Sequence, residues 1–363
     1  MSGRPDAHAA ASQFEFSGEV LGLTPHGGGH INDTYLVTCE AQGAPVRYIL
    51  QHINRHVFRD PVAVMQNVER VTAHLAAQFA GQPGSERRAL HLVPTRDGRK
   101  WHVDVQGETW RAYRFIEDAR TYETATSAGQ AFQAARAFGG FHQQLASLPP
   151  PRLHETIPDF HNTPKRFAAL EEAIAADVAG RAALAKPEIG FARSRQAITG
   201  NLLDAGLPER ITHNDTKFNN ILLDDKTGEA VCVIDLDTVM PGLALYDFGD
   251  MVRTTTSPAA EDEKDLSLVT MQFPMFEALV RGYLESAGAF LTVAERRYLA
   301  FSGKLITFEI GIRFLADHLA GDTYFKVHRE GHNLDRCRAQ FRLVESIEQQ
   351  EEEMKRLVES IAG

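Results

Sequence analysis

Cysteine is scarce in this sequence, and the three that occur are too widely spaced to form a disulfide framework. Cys39, Cys232 and Cys337 include no CxxC pair, so we expect reduced thiols with a mainly structural role. No apolar stretch approaches the roughly 18 residues that span a bilayer. The segment from Met1 to Gln13 has no basic region followed by an apolar core, so no secretory signal is evident. We therefore expect a cytoplasmic protein without a membrane partner.

Basic residues are outnumbered by acidic ones. The chain has 38 lysines and arginines against 48 aspartates and glutamates, a net charge of −10. This balance argues against nucleic acid or an anionic membrane as a partner. It does not exclude ATP, because a nucleotide site needs only a local positive potential and a metal ion. A length of 363 residues suits one large domain or two unequal ones.

The first third of the chain alternates short strand-like runs with turns. Asp60 followed by Pro61 predicts the start of a helix, with Asp60 as N-cap and Pro61 at the first helical position. We predict a hairpin of residues 90–93 and 101–105 around the turn at Asp97-Gly98. Further strands are predicted at residues 19–23, 34–38, 46–53 and 109–116.

After Glu117 the pattern changes to long helices. They are predicted at residues 127–148, 166–178 and 193–205, and again from Pro274 to the end. Strands first and helices later predict an α+β fold with two lobes. We expect a small β-rich N-terminal lobe of residues 1–117 that binds a nucleotide, and a larger, mostly helical C-terminal lobe of residues 118–363 that holds the catalytic and substrate-binding groups.

One motif in the second half carries the chemistry. Asp215 is followed five positions later by Asn220, and Asp235 follows a second apolar run. The turn at residues 224–228 predicts an antiparallel hairpin, which would bring Asn220 and Asp235 to the same open end. Hard oxygen ligands beside a further carboxylate predict a magnesium-phosphate site. This spacing is typical of phosphoryl transfer, with Asp215 as the general base and Asn220 and Asp235 as the metal ligands.

Neighbouring charged residues have supporting roles in this hypothesis. Lys217 could stabilise charge on the transferring phosphoryl group, or it could be a solvated surface lysine. Asp237 could bind a second metal ion or hold its loop. Asp247 or Asp250 is expected to buttress the catalytic loop by accepting backbone N–H bonds, rather than to bind magnesium.

Two segments of the first lobe are candidates for nucleotide binding. Gly27, Gly28 and Gly29 lie between two predicted strands, where backbone amides can approach phosphates. The strand that ends at the lobe boundary is expected to read an adenine ring through the backbone of Phe115, Ile116 and Glu117.

These motifs resemble the aminoglycoside phosphotransferase-like branch of the protein-kinase fold. Flanking segments are similar to the N-acetylhexosamine 1-kinases, namely residues 29–35, 156–161, 234–242, 309–315 and 321–325. The resemblance implies a bilobal kinase fold, ATP with Mg²⁺, and phosphorylation of the anomeric hydroxyl of a free sugar such as GlcNAc or GalNAc. It also implies that Asp215, Arg313 and Tyr324 contact the sugar. The alternative for Arg313 is an ion pair with Glu309, four residues away.

One departure concerns the third strand, where kinases usually place a lysine paired with a helix glutamate. Here Gln51, His52 or Arg55 is expected to contact phosphate instead, and Glu69 on the next helix lacks its cation. This departure weakens the nucleotide-site assignment but not the catalytic one.

Alternative functions remain open at this stage. The acceptor could be another small alcohol, such as an aminoglycoside, choline or homoserine. A catalytically dead nucleotide-binding protein is a further alternative, which the intact motif at Asp215 argues against. The stretch from Phe341 to Ile361 predicts a helix, packed on the large lobe or forming a dimer contact, so we expect a monomer or a weak homodimer.

Overall fold

The computed structural model describes residues 6–27 and 31–362. The strands are β1 (Glu19–Pro25), β2 (Asp33–Ala41), β3 (Ala44–His52), β4 (His102–Val103), β5 (Thr109–Arg114), β6 (Ala119–Arg120), β7 (Arg210–Thr212), β8 (Ile221–Asp224), β9 (Ala230–Val233) and β10 (Met240–Gly242). The α-helices are α1 (Ala7–Ala11), α2 (Pro61–Phe79), α3 (Ala128–Leu145), α4 (Thr163–Ala176), α5 (Lys186–Ser194), α6 (Asn201–Asp204), α7 (Ala244–Thr255), α8 (Phe273–Ala287), α9 (Val293–Leu319) and α10 (His332–Ala362). Strands early and helices later confirm the predicted α+β class.

The chain forms two compact units. The first comprises Met1–Ala119, Ser147–Ile157 and Val231–Met240, and the second comprises Arg120–Ala146, Pro158–Ala230 and Pro241–Gly363. The lobes of residues 1–117 and 118–363, taken as functional domains, stay a prediction. None of the described helices is both long and apolar enough to cross a membrane.

The first unit is built on an antiparallel sheet of order β1-β2-β3-β5-β4. Its register places Gln51 of β3 between Thr34 of β2 and Arg111 of β5. One hydrophobic core contains the fully buried Leu50 and Trp110 of this sheet, with Ala7, Ala10 and Ala11 of α1 in the same cluster. Alternation along β3 therefore sends Leu50 into this core and leaves its neighbour Gln51 on the other face.

Helix α2 begins as the sequence predicts. The carboxylate of Asp60 accepts a hydrogen bond from the backbone N–H of Ala63 at 3.0 Å, and Pro61 occupies the first position. The apolar positions Val64, Val68 and Val71 are all buried. Both the cap and the buried stripe are thus confirmed.

Two predicted elements are wrong. Residues 193–205 are not one helix, because α5 ends at Ser194 and α6 begins only at Asn201. Thr199 and Gly200 both have low helix propensity, and the Thr199 hydroxyl bonds back to the carbonyl of Gln196. The hairpin of residues 90–93 and 101–105 is also wrong, because β4 pairs with β5 and the earlier segment bonds to β5 as well.

The second unit contains helices that approach each other closely at glycines. Helix α9 is buried on nearly every side, as expected for a central helix. A Cβ atom added at Gly249 of α7 would lie 2.5 Å from the carbonyl oxygen of Ser302 on α9. One added at Gly282 of α8 would lie 2.3 Å from the carbonyl oxygen of Phe132 on α3. The backbones of these helices can approach each other this closely only because the glycines have no side chain.

We expect Gly282→Ala to destabilise the protein, because the new methyl group must displace a helix backbone. Overpacking of this kind costs about 1–3 kcal/mol. The matched control is Gly140→Ala on α3, where an added Cβ meets nothing within 4 Å. There the higher helix propensity of alanine should stabilise by about 1 kcal/mol or less. Urea unfolding of both variants measures the difference, and equal midpoints would contradict this view of the helix contact.

Candidate functional site

The predicted catalytic residues lie on a short loop of the second unit. Strand β7 leads into the loop, a 3₁₀ turn at Phe218–Asn220 ends it, and β8 follows. The Asn220 amide nitrogen donates to the backbone carbonyl of Asp215 at 2.8 Å and lies 3.3 Å from its carboxylate. The structure thus brings Asp215 and Asn220 together, and the Asn220 amide nitrogen is already engaged. The turn after β8 also forms as predicted, because Asp224 exchanges backbone bonds with Gly228 and Glu229.

The electrostatic partner of Asp215 is Lys217. The ammonium nitrogen lies 3.0 Å from Oδ1 of Asp215. Burial raises the pKa of Asp215, but the attraction of Lys217 outweighs it and holds the pKa below its usual value. The same attraction raises the pKa of Lys217 to about 12. Asp215 is therefore an ionised carboxylate and Lys217 a cation at neutral pH.

A buried carboxylate holds the backbone of this loop. Asp247, near the start of α7, accepts hydrogen bonds from the backbone N–H groups of His213 and Asn214, both at 2.7 Å. Its backbone carbonyl accepts a bond from the hydroxyl of Thr216 at 2.7 Å. Asn214 has a φ of +65°, which few residues other than glycine adopt without such support. The prediction that Asp247 or Asp250 accepts backbone N–H bonds from this loop is confirmed for Asp247.

Asp247 has a further partner that sequence reasoning missed. The Nε2 atom of His142 lies 2.6 Å from Asp247, and its Nδ1 atom lies 2.8 Å from the hydroxyl of Tyr283. Burial raises the pKa of Asp247, but these hydrogen bonds outweigh it and the pKa is lowered. Burial also raises the pKa of Tyr283, so its hydroxyl stays protonated. In sequence, His142 is one polar residue on the apolar face of α3 and gives no signal of its partner.

A second buried network joins the loop to α9. The Nδ1 atom of His161 lies 2.8 Å from Glu309, and its Nε2 atom lies 3.1 Å from the carbonyl oxygen of Asn214. Glu309 also accepts from the hydroxyl of Thr163 at 2.6 Å. Because both ring nitrogens face acceptors, His161 must donate from both and carry a positive charge. Burial lowers the pKa of His161, but Glu309 outweighs it and the pKa is raised.

The two predicted sugar contacts lie in the same unit. The guanidinium of Arg313 is stacked on Phe160 at 4.9 Å and on Phe325 at 5.7 Å from the ring centroids. Tyr324 is 58% exposed. The alternative in which Arg313 pairs with Glu309 is not the arrangement found, since the Glu309 oxygens bind His161 and Thr163. Arg313 is therefore a cation held between aromatic rings.

Asp317 shapes the loop that carries Tyr324. Its carboxylate accepts backbone N–H bonds from Thr323, Tyr324 and Phe325 at 2.8–2.9 Å. The side chain of Asn333 donates to it as well, at 2.9 Å. All these donors bind one carboxylate, so Asp317 holds the conformation of the loop, and the N–H dipoles stabilise its negative charge.

In the first unit, Asp235 and Asp237 follow β9. Asp235 has a φ of +58°, a left-handed conformation that is uncommon among non-glycine residues, although aspartate adopts it more readily than most. The carboxylate of Asp237 pairs with Arg111 and accepts from the amide of Asn32 at 2.6 Å. Both of its oxygens are thereby engaged, which supports the loop-holding alternative for Asp237 over a second metal site.

The expected substitutes for a third-strand lysine are engaged with other groups. Gln51 bonds to Thr34 and Arg111. His52 and Arg55 both lie close to Glu108, at 2.9 Å and 3.3 Å. Among the described residues of this unit the buried arginine is instead Arg111, which nothing in the pattern of its strand singles out. Burial lowers the pKa of Arg111, but Asp237 outweighs it and the pKa is raised.

The structure describes some of the residues predicted to bind the nucleotide, namely Gly27 and residues 115–117. Gly27 has a φ of +72°, as a glycine in a tight turn can adopt. Gly28 and Gly29 lie outside the described residues. The backbone N–H of Phe115 donates to the carbonyl of Arg47 at 3.1 Å, and Glu117 pairs with the Arg47 side chain.

No cluster of three or more histidine, cysteine, aspartate or glutamate side chains suited to a metal ion occurs among residues 6–27 and 31–362. A protein site of this kind is not required for magnesium bound with a nucleotide, which keeps water and phosphate ligands and needs one or two protein oxygens. At Asn220 the amide nitrogen is occupied by Asp215, so the amide oxygen is the atom suited to a cation.

The chain is similar to known phosphotransferases in sequence profile and in fold. The profile of the phosphotransferase enzyme family (APH) matches residues 22–288. An aminoglycoside phosphotransferase from Alicyclobacillus acidocaldarius superimposes with a TM-score of 0.63 at 14% identity, covering 97% of this chain and 98% of that chain. A microcompartment-associated aminopropanol kinase gives 0.58 at 17%, covering 96% and 98%. A spectinomycin phosphotransferase in complex with ADP and spectinomycin gives 0.57 at 11%, covering 91% and 92%. At these identities the likeness shows a shared fold.

Removing Lys217 should raise the pKa of Asp215, because the cation that lowers it is lost. We expect the acidic limb of the pH profile of kcat/KM to move to higher pH in Lys217→Met. We also expect a fall in kcat of about 10²–10³-fold, the usual cost of losing one charge-stabilising donor. Lys226→Met, in the exposed turn after β8, is the control. An unchanged acidic limb would show that Lys217 does not set the pKa of Asp215.

Glu309→Gln should leave the buried imidazolium of His161 without its counter-charge. Breaking a buried pair costs about 3–5 kcal/mol, whereas the exposed Glu285→Gln should cost about 1 kcal/mol or less. The lowered pKa of Glu309 means that its contribution is present above the ordinary pKa of glutamate and is lost as the pH falls through its own pKa. The gap between wild type and Glu309→Gln should therefore narrow in acid. Chemical unfolding across a pH series measures it, and a constant gap would argue against the charged pair.

Proposed function

This chain belongs to the phosphotransferase enzyme family, and we propose that within it the protein is an ATP-dependent kinase of a small molecule. The acceptor we propose is the anomeric hydroxyl of an N-acetylhexosamine, GlcNAc or GalNAc. The family assignment confirms the activity class predicted from the sequence.

Asp215 is assigned the role of general base. The anomeric oxygen attacks the γ-phosphorus of ATP, the bond from that phosphorus to the β,γ-bridging oxygen breaks, and ADP leaves. The hydroxyl proton passes to the carboxylate of Asp215, which is ionised and ready to accept it. Lys217, 3.0 Å from the same carboxylate, is placed to offset negative charge on the transferring group.

Asn220 and Asp235 are assigned to magnesium. When bound, the ion neutralises phosphate charge and fixes the orientation of the γ-phosphoryl group. The support from Asn220 is that its amide nitrogen already donates to Asp215. The amide oxygen is therefore the side-chain atom that can coordinate a cation. The support from Asp235 is a left-handed backbone conformation, a kind of strain that concentrates at functional sites.

The nucleotide is assigned to the first unit. Gly27, Gly28 and Gly29 are proposed to approach the phosphates. The backbone N–H of Phe115 is engaged by Arg47, so the proposal for adenine rests on the backbone of Ile116 and Glu117.

The choice of acceptor rests on one observation, the charge around Arg313. This guanidinium lies over two aromatic rings, and the carboxylate of Glu309, one helical turn away on α9, is already paired with His161. A pocket for a cationic acceptor requires uncompensated carboxylates. A guanidinium between aromatic rings instead suits a neutral molecule rich in hydrogen-bond acceptors, such as the hydroxyls and N-acetyl carbonyl of an amino sugar.

Tyr324 supports the same choice. An exposed tyrosine beside Phe325, over whose ring Arg313 also lies, offers a ring face to the apolar side of a sugar and a hydroxyl to its edge. Its loop is fixed by Asp317, which orders the backbone before any acceptor arrives.

The experiment is a panel of free hexoses, N-acetylhexosamines, aminopropanol, choline and kanamycin, each with ATP and Mg²⁺, with ADP release as the readout. We expect turnover with N-acetylhexosamines and its loss in Asp215→Asn. Phosphorus NMR should place the phosphate on C1. Turnover only with an amine-bearing alcohol would keep the family and discard the sugar, and nucleotide binding without turnover would favour a dead kinase.

Arg313→Met tests the acceptor contact itself. We expect KM for the sugar to rise by about 10–100-fold, the range for a lost charged hydrogen bond of about 1.5–3 kcal/mol, with KM for ATP unchanged. Arg297→Met, on the exposed side of the same helix α9, is the matched control. A change in both KM values would point to a general disturbance of α9 and not to sugar binding.

A further inference from the structure

A buried cation lies beside the third strand, on the neighbouring strand β5. Gln51 stands on β3, directly opposite Arg111 on β5. The Nε–H of Arg111 donates to the side-chain oxygen of Gln51 at 3.0 Å. Gln51 therefore orients a guanidinium that projects from the adjacent strand on the same face of the sheet.

Arg111 is buried and does not face solvent. Its side chain is 1% exposed, and that of its partner Asp237 is 2% exposed. The Nε atom is committed to Gln51, and one terminal nitrogen is committed to Asp237. A side chain in this position acts through Asp237 and not by reaching a phosphate.

The ion pair of Arg111 and Asp237 is costly to bury, and it lies next to the segment that carries Asp235. Two buried charges gain little over well-packed apolar residues, so such pairs are weak evidence for stability. Here the pair fixes a segment with an unusual backbone. Asp235 lies two residues before Asp237 and holds φ at +58°, a left-handed conformation that neighbouring contacts help to maintain.

Other side chains bind the same segment from separate elements. The hydroxyl of Thr156 donates to the backbone carbonyl of Asp237 at 2.9 Å. The amide of Asn67 on α2 donates to the carbonyl of Val239 at 3.1 Å. The amide of Asn32 donates to the Asp237 carboxylate at 2.6 Å. Arg111 is the cation among these donors.

We propose that Arg111 is a positioning residue for magnesium: through Asp237 it holds the segment from which Asp235 presents its carboxylate to the metal of the nucleotide complex. The inference rests on the proposed function, because that is where Asp235 receives its role. Asn32 extends the arrangement, since its side-chain oxygen accepts the backbone N–H of Asn54 at 3.0 Å. The loop before β2 and the end of β3 are thereby tied to the same carboxylate.

The test is the affinity for ADP with and without Mg²⁺, measured by calorimetry in the absence of any acceptor. In wild type we expect magnesium to tighten ADP binding. In Arg111→Met we expect this magnesium-dependent gain to fall at least tenfold, while the metal-free affinity for ADP changes less than threefold. Arg114→Met, an exposed position on the same strand, is the matched control and should match wild type.

Two further variants guard against simple misfolding. Arg111→Met combined with Asp237→Asn removes both charges, so no unpaired charge is buried, and Arg111→Lys keeps the charge but cannot make both contacts. Thermal unfolding without ligand shows whether each is folded. We expect the double variant to lose the magnesium-dependent gain and Arg111→Lys to lose part of it.

The outcomes separate the two proposals. A wild type in which magnesium adds nothing to ADP binding would overturn the magnesium part of the proposed function, and this inference with it. A wild type with the gain and folded variants that keep it would overturn only the role of Arg111. An equal loss of metal-free ADP affinity would also overturn it, because Arg111 would then contact phosphate directly.

Discussion

A carboxylate without access to water, that of Asp247, fixes the backbone that carries Asp215 and Lys217, the proposed catalytic side chains. Two consecutive N–H groups, of His213 and Asn214, point at its oxygens. Asn214 adopts a left-handed conformation in this arrangement. Because Asn214 directly precedes Asp215, its conformation sets the direction of the backbone at Asp215. Without the acceptor, two buried donors would be unpaired, and each would cost about 1–3 kcal/mol. The loop thus has one low-energy shape.

The same physical solution occurs in both units. In the second unit Asp247 holds the loop that precedes Asp215. In the first unit Asp237 holds the segment that contains Asp235, with Arg111 as its counter-charge. In each case a buried acid accepts from several donors, and a residue with positive φ lies within two positions of a proposed functional carboxylate. Strained backbone is maintained in both places by partners that a simple turn would not need.

Local signals in the sequence predicted those parts of the fold whose causes are local. The cap at Asp60, the turn after β8 and the order of strands and helices depend on neighbours in the chain. Asp247 was predicted as a buttress because an aspartate at a helix start can accept backbone N–H bonds. The helix over residues 193–205 failed where Thr199 and Gly200 interrupt it. The hairpin at residues 90–93 failed because β5 offered a better partner for both of its segments.

Long-range pairs could not be predicted in this way. His161 and Glu309 are 148 positions apart, and Arg111 and Asp237 are 126 apart. Each residue alone is unremarkable, a histidine after a phenylalanine or an arginine within a strand, and only the fold shows its partner. The family was recognisable because its motif is compact. The surroundings of Arg313, the proposed sugar contact, could not be predicted in the same way, because Phe160, Arg313 and Phe325 come from three separate segments.

The pairing of Lys217 with Asp215 also bears on a side reaction, the wasteful hydrolysis of the nucleotide. A carboxylate kept this acidic is a weak base toward water, which holds its proton tightly. An anomeric hydroxyl is more acidic than water and gives up its proton to a weaker base. For the proposed anomeric acceptor, the ion pair would therefore favour transfer over hydrolysis, and the acidity of the acceptor would join its shape in selecting the substrate.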